Sequence, residues 1–416
     1  MTEDVPPGRL RDNRDYRIWW WGNLSSATGN QFMVIAMPLM VLLLTGSPLQ
    51  AGLVGSLSAL PYIILALPVG VLVDRAPRRA LMLLAGLTSL IAVGTVPIAY
   101  ATFGLSVLHL YAVVFVNGCS VVVFFVAQQA SLPRIVAKNL IGRATGQAET
   151  IERTAAIIGP TVAAWLFEQV WPAFPFAFYA MSFGVMAVAM MFIRADLGPT
   201  TPPKESQRTG LSAGVKSLWS NRLLRDLTFL NTAGDFLFAG ITLLMVILVR
   251  DSGASTASVG LVFSSAAVGG LIGSMVASRL EEHLGLPVAV IGKHILTAAI
   301  FPLLLSGLPA WGIALLWASI SFQVSIVGVI QRKHVLLKTA DELMGRVQAV
   351  TVFLSFGALP LGTAFTGFVL EYGGITTTLA AYSAILVLLA IASIVSRAIR
   401  TGDVEHPETT SEERAV

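Results

Sequence analysis

Twelve apolar stretches, each long enough to cross a bilayer, alternate with short polar connections along the chain. They fall at about 18–44, 49–73, 80–102, 106–132, 144–168 and 173–193, then at about 226–249, 256–279, 287–306, 309–331, 344–370 and 375–396. A span needs about 20 apolar residues. Lipid offers no partner to an open backbone, so each stretch is predicted to be a helix. The polar gap at 195–221 holds Pro199, Pro202, Pro203, Lys204 and Glu205 and reads as a linker. Within it, 211–222 could form a short interfacial helix with Leu211, Val215, Leu218 and Trp219 on one side, or none. The expected organisation is 1–194 as a first six-helix bundle, 195–221 as the linker, 222–400 as a second bundle and 401–416 as a tail.

Composition agrees with this pattern. The 416 residues are 55% hydrophobic and 12% charged, with net charge +4. A soluble domain carries about 25% charged residues. The few basic residues are sorted by loop. Arg75, Arg78, Arg79, Arg134, Lys138, Arg143, Arg279, Arg332, Lys333 and Lys338, with those of the linker, lie in even-numbered connections. The odd ones carry only Arg250, beside Asp251. Positive loops stay inside, so both termini and the linker are expected in the cytoplasm. That distribution gives no basic face for nucleic acid. The single cysteine, Cys119, excludes an intrachain disulfide. The first apolar stretch is too long for a cleaved signal.

The halves repeat. PLMVLLLTGS from Pro38 aligns with LLMVILVRDS from Leu243, and Leu140/Leu343, Gly142/Gly345, Arg143/Arg346, Gly159/Gly362 and Glu168/Glu371 share one offset. Six spans separate the copies, so both enter from the same side. Parallel six-helix repeats with a midplane site between them are a transporter plan.

Between spans 2 and 3 stands GVLVDRAPRR. Gly70 would permit close helix approach, Asp74 could cap or pair at a helix end, and Arg75, Arg78 and Arg79 would hold the loop inside. This loop resembles the signature of the major facilitator superfamily. In the second half Ala277 replaces the aspartate. Gly159-Pro160 in span 5 resembles the core of the exporters' antiporter motif, though Ala163 and Ala164 stand where a glycine pair usually follows. Across nearly the whole chain, WWGNLSSATGNQ, LPRIVAKNLIGRATGQ and LMGRVQA with LPLGTAFTG are similar to the bacterial branch of macrolide efflux and enterobactin export proteins. The resemblance implies an all-α membrane protein, twelve helices in two pseudo-symmetric bundles, and a cytoplasmic latch of Gly70, Asp74, Arg75, Arg78, Arg79, Glu149, Arg153 and Arg346.

Polar residues within the spans are the candidate site. A charge near the bilayer centre costs about 2.5–3.5 kcal/mol on insertion scales. Asp235 lies about nine residues, roughly 13 Å, into span 7 and is the candidate for proton coupling. Its counterpart in span 1 is Asn30, where exporters of this branch often carry an acid. Asn23, Ser26, Asn30, Tyr62, Asn231, Gln323 and Phe353 are the candidate substrate cavity. Glu149 and Arg153 form an i, i+4 pair. Lys293 and His294 lie toward the inner end of span 9, where a lysine snorkels. Ser265, Gly269, Gly273 and Ala277 form a small-residue stripe on span 8.

No Walker loop, HExxH helix or Cys–His cluster occurs, so no cofactor or metal is expected and an ion gradient supplies the energy. The reading is of a monomeric exporter of small organic molecules in the bacterial cell membrane, driven by proton antiport, and not an enzyme. An importer or lysolipid flippase of the same plan, or a transport-inactive sensor, is the alternative.

Overall fold

The computed structural model describes residues 10–198, 218–280, 283–338 and 341–401. The tail after 401, most of the linker and most of the candidate interfacial helix lie outside them. Every regular element among the described residues is helical. They are α1 (Arg14–Thr45), α2 (Pro48–Arg75), α3 (Arg78–Thr102), α4 (Val107–Ile135), α5 (Ile141–Gln169), α6 (Phe174–Phe192), α7 (Arg222–Asp251), α8 (Thr256–Leu280), α9 (Leu286–Ile300, continued by a 3-10 turn, Phe301–Ser306) and α10 (Ala310–Lys338). The last long stretch, Asp341–Val395, breaks at Gly374 with φ 73° and ψ −176°, separating α11 (341–373) from α12 (375–395). Only glycine adopts that backbone cheaply. A short α13 (Arg397–Thr401) follows.

Ten described helices are long and apolar enough to span a bilayer, with Val350–Val395 counted once. Splitting that stretch at Gly374 adds one span. Helix α5 adds the other, since its N-terminal half carries Arg143, Glu149, Glu152 and Arg153 while 155–167 is free of charge. The total is the twelve expected. Connections are short and locally closed. Asn13, Ser47, Ser106 and Asn221 each accept a backbone N–H with the side chain at a helix start. Gly46, with φ 66°, ends α1 in the left-handed conformation.

The chain forms two compact units, Met1–Pro202 with Gly253–Ser264, and Pro203–Ser252 with Ser265–Val416. In the first, α1 packs on α5 and α6, α3 on α4 and α6, and α2 on α4. In the second, α7 packs on the α11–α12 stretch, and α9 on α10 and that stretch.

The repeated glycines have a structural cause within each unit. A Cβ on Gly159 of α5 would lie 2.5 Å from Gln31 Cβ on α1. A Cβ on Gly362 of α11 would collide with the Phe236 carbonyl on α7. These are equivalent crossings, one per unit. A further pair at the same offset is Tyr179 and Tyr382, both buried. Tyr179 donates to Asn117 Oδ1 at 3.0 Å, and the Tyr382 hydroxyl lies 2.5 Å from Thr366 Oγ1. The small stripe of α8 meets α10: Ser265 donates to the Ala314 carbonyl at 2.9 Å, and Gly269 and Gly273 abut the Ala318 and Phe322 backbones. Gly70 is different. Among the described residues nothing lies within 4 Å of where its Cβ would be. The close crossing of α2 and α4 lies further along, at Gly118 of α4, whose Cβ would sit 2.7 Å from the Ser58 carbonyl.

Candidate functional site

Asp235 is held in the second unit by α7 and faces two other helices. It interacts with the Ser355 hydroxyl on α11 and lies within electrostatic reach of the Lys293 ammonium on α9. The expected snorkelling of Lys293 does not occur. Seven residues into α9, its side chain is directed into the unit and lines a small chamber with Phe238, Trp317 and Tyr382. Distance along the helix was the usable signal. At 1.5 Å per residue, Lys293 is about 10 Å past the helix start, deep for a terminal snorkel. The chamber is about 90 Å³. Drug-sized ligands need about 300–1,000 Å³, so it is not a substrate pocket. It gives Lys293 an aromatic wall, with Phe238 stacked on Trp317 at 6.0 Å. Beside it, buried His294 is tied to its own helix through Nδ1 and the Val290 carbonyl, 2.8 Å apart. Asn231 is half-buried one turn before Asp235. Gln323 on α10 has a buried Oε1 with no hydrogen-bond partner among the described residues. Phe353 is exposed on α11.

In the first unit the candidate cavity residues divide. Asn23 and Ser26 are each 4% exposed and engaged inside the bundle. Asn23 Oδ1 accepts from Gln128 Nε2 on α4 at 2.8 Å, and Ser26 donates to the Asn23 carbonyl at 3.2 Å. Here they act as packing groups. Asn30 is half-buried on the same helix. Tyr62, half-buried on α2, interacts electrostatically with Tyr179.

The GVLVDRAPRR loop is anchored by its arginines to its own unit. Arg78, buried, donates to the Ala130 carbonyl on α4 at 3.0 Å. Arg79 donates to the carbonyls of Ile193 and Ala195 beyond α6, the latter at 3.0 Å. Asp15 closes the same end, its Oδ2 accepting from the backbone N–H of Arg194 (2.9 Å) and Ala195 (2.7 Å). Asp74 is half-buried and Arg75 exposed. Glu149 and Arg153 pair at 3.8 Å on the exposed face of α5. The Arg346 side chain lies outside the described residues.

Gly159-Pro160 sits where three helices of the first unit meet. Gly159 faces α1, while the Pro160 carbonyl would lie 2.5 Å from a Cβ on Gly260 at the start of α8. Thr161 Oγ1 and Ser264 Oγ are 2.7 Å apart, and Glu168 Oε2 accepts from Ala257 N at 3.1 Å. A carboxylate at the first turn of α8 complements the helix dipole.

The family model described as MFS_3, transmembrane secretion effector, matches residues 10–414. The chain is 24% identical over 397 residues to the multidrug efflux pump Tap of Mycobacterium tuberculosis, covering 92% of this chain and 93% of Tap. It is 23% identical to macrolide efflux protein A of Streptococcus pyogenes, covering 93% and 96%. Among solved structures, the nucleoside transporter NupG superposes with TM-score 0.73 at 12% identity, covering 91% of this chain and 98% of NupG. A bacterial homolog of the human lysosomal transporter Spinster gives 0.71 at 12%, covering 97% and 100%. Those two likenesses speak to the fold alone. With the twelve spans, the repeat and the full-length match in hand, the chain belongs to the transmembrane secretion effectors of the major facilitator superfamily, multi-pass membrane transporters that move small molecules and are not enzymes.

Proposed function

We propose that this chain exports small organic molecules across the bacterial plasma membrane by proton antiport, with Asp235 as the coupling carboxyl. The observation that carries this is Asp235 itself, midway along α7, beside the Ser355 hydroxyl and within electrostatic reach of Lys293. An ionised carboxylate inside a bundle needs a counter-charge, and Lys293 supplies it. When Asp235 takes up a proton from outside, the pairing ends and Lys293 is left to repolarise the site. A substrate can drive the cycle only if its affinity differs between the two protonation states. Export of drugs or secondary metabolites is supported by the likeness to a multidrug efflux pump and a macrolide efflux protein.

The carrier works as a monomer, with no cofactor, metal or nucleic acid, and both termini and the linker face the cytoplasm. Asn30, Tyr62, Asn231, Gln323 and Phe353 contact substrate at one stage or another of the cycle, and Asp74 with Arg346 takes part in inner-side closure. The test is a drug and metabolite susceptibility panel in an efflux-deficient host, with and without an uncoupler. Resistance that the chain confers and the uncoupler abolishes supports the reading. Accumulation rather than loss of the same compounds would overturn it.

A further inference from the structure

A groove at the inner end of α1 has a composition that transport does not use. On α1, Arg17, Trp20, Trp21 and Leu24 follow one another at i, i+3, i+4 and i+7, and line one wall. On α5, Gln147, Thr150, Ile151 and Thr154 repeat the same spacing and line the other. The Tyr16 hydroxyl donates to Gln147 Oε1 at 2.9 Å and closes the upper end between the helices. The enclosed volume is about 460 Å³. Its floor is apolar, since Trp20 and Leu24 pack on the buried cluster of Ala27, Ile151 and Ala155. Trp21 is 62% exposed and meets Trp20 edge-on at 4.9 Å.

Charge is concentrated at one end. Arg11 and Arg17 line the groove and are exposed, and neither side chain has a hydrogen bond or ion pair among the described residues. Neighbouring Arg14 is committed, donating to the Phe192 carbonyl at 3.3 Å. Two free guanidinium groups above a tryptophan pair above an aliphatic floor match the order of a lipid: phosphate, glycerol, acyl chain. Tryptophan settles at the headgroup level, and basic residues at the inner surface attract anionic lipids.

We propose that the α1–α5 groove binds an anionic phospholipid of the inner leaflet, its phosphate between Arg11 and Arg17 and one acyl chain along Trp21 and Leu24. The inference depends on the inner placement of this end, not on what the carrier transports.

The full chain, purified and titrated with phosphatidylglycerol or phosphatidylcholine, is read by native mass spectrometry for bound lipid. Wild type should favour phosphatidylglycerol. The double variant Arg11→Gln/Arg17→Gln should lose about 30-fold in phosphatidylglycerol affinity, the equivalent of about 1 kcal/mol per arginine. Arg397→Gln/Arg400→Gln, exposed residues of α13 that do not line the groove, should leave it unchanged. Thr150→Trp, which fills the groove and keeps both arginines, should also weaken binding. Equal loss in both arginine pairs, or no effect of Thr150→Trp, would reduce the effect to diffuse surface charge and overturn the proposal. Competition by inorganic phosphate at equal concentration would assign the site to a free anion. Binding that appears only after deletion of residues 2–9 would assign the groove to that segment. Either result overturns the lipid assignment.

Discussion

Replacing Gly362 with alanine tests the packing logic of the repeat. A Cβ at this position would meet the Phe236 carbonyl oxygen well inside contact distance, with Phe236 C at 2.8 Å and Cα at 3.2 Å. All three are backbone atoms of α7, so no side-chain rotation relieves the clash. The helices must separate, and overpacking of this kind costs about 1–3 kcal/mol. Alanine returns about 0.5–1 kcal/mol through its helix preference over glycine. The net destabilisation should be about 0–2.5 kcal/mol, a fall of up to roughly 10 °C in Tm at about 2–4 °C per kcal/mol for a unit of this size, and about 1–3 kcal/mol relative to a glycine-to-alanine change that meets no neighbour. Gly357→Ala is the internal control. It lies on the same helix, and nothing stands within 4 Å of its Cβ position, so its Tm should hold or rise slightly. Thermal unfolding of both purified proteins in one detergent decides the matter. A Gly362→Ala protein as stable as Gly357→Ala would refute the close crossing.

Three further outcomes are expected. In a Cys119→Ser background, Ser47→Cys should react with an impermeant thiol reagent on intact cells and Ser206→Cys should not; the reverse would overturn the loop-charge topology. Glu168→Ala removes the acceptor at the start of α8 and should lower stability by about 0.3–1 kcal/mol, readable as a small fall in Tm that Glu168→Asp partly restores. Asp74→Asn should keep wild-type expression yet slow transport in an efflux assay, and a normal rate would remove Asp74 from the closure.

The parts of this molecule that were legible from one sequence are those where physics forces a residue type. Lipid forces apolar helices, and a helix crossing without room for a methyl group forces glycine. That is why the Gly159/Gly362 equivalence survives in the alignment and reappears as two crossings. Gly70 is less legible, because a glycine in a motif does not by itself say which helix comes close, and among the described residues nothing stands near its Cβ position. Side-chain direction was the other gap. Asn23 and Ser26 share a face with Asn30, but helical spacing does not tell whether that face meets Gln128 or an open cavity. Lys293 was assigned to the interface for the same reason, since its partner Asp235 lies 58 positions earlier in the chain and only folding brings α7 and α9 together.

The central claim is that Asp235 couples proton entry to substrate exit. Proteoliposomes loaded with a substrate from the susceptibility panel, given an imposed proton gradient, measure both fluxes for wild type and Asp235→Asn. The account predicts that the variant, with wild-type Tm and retained substrate binding, loses gradient-driven export and the accompanying proton movement, and that Asn30→Asp in the same chain restores part of both. Export by a well-folded Asp235→Asn protein at the wild-type rate, with protons still moving, would contradict it and shift the search to Glu149, Glu152 and His294.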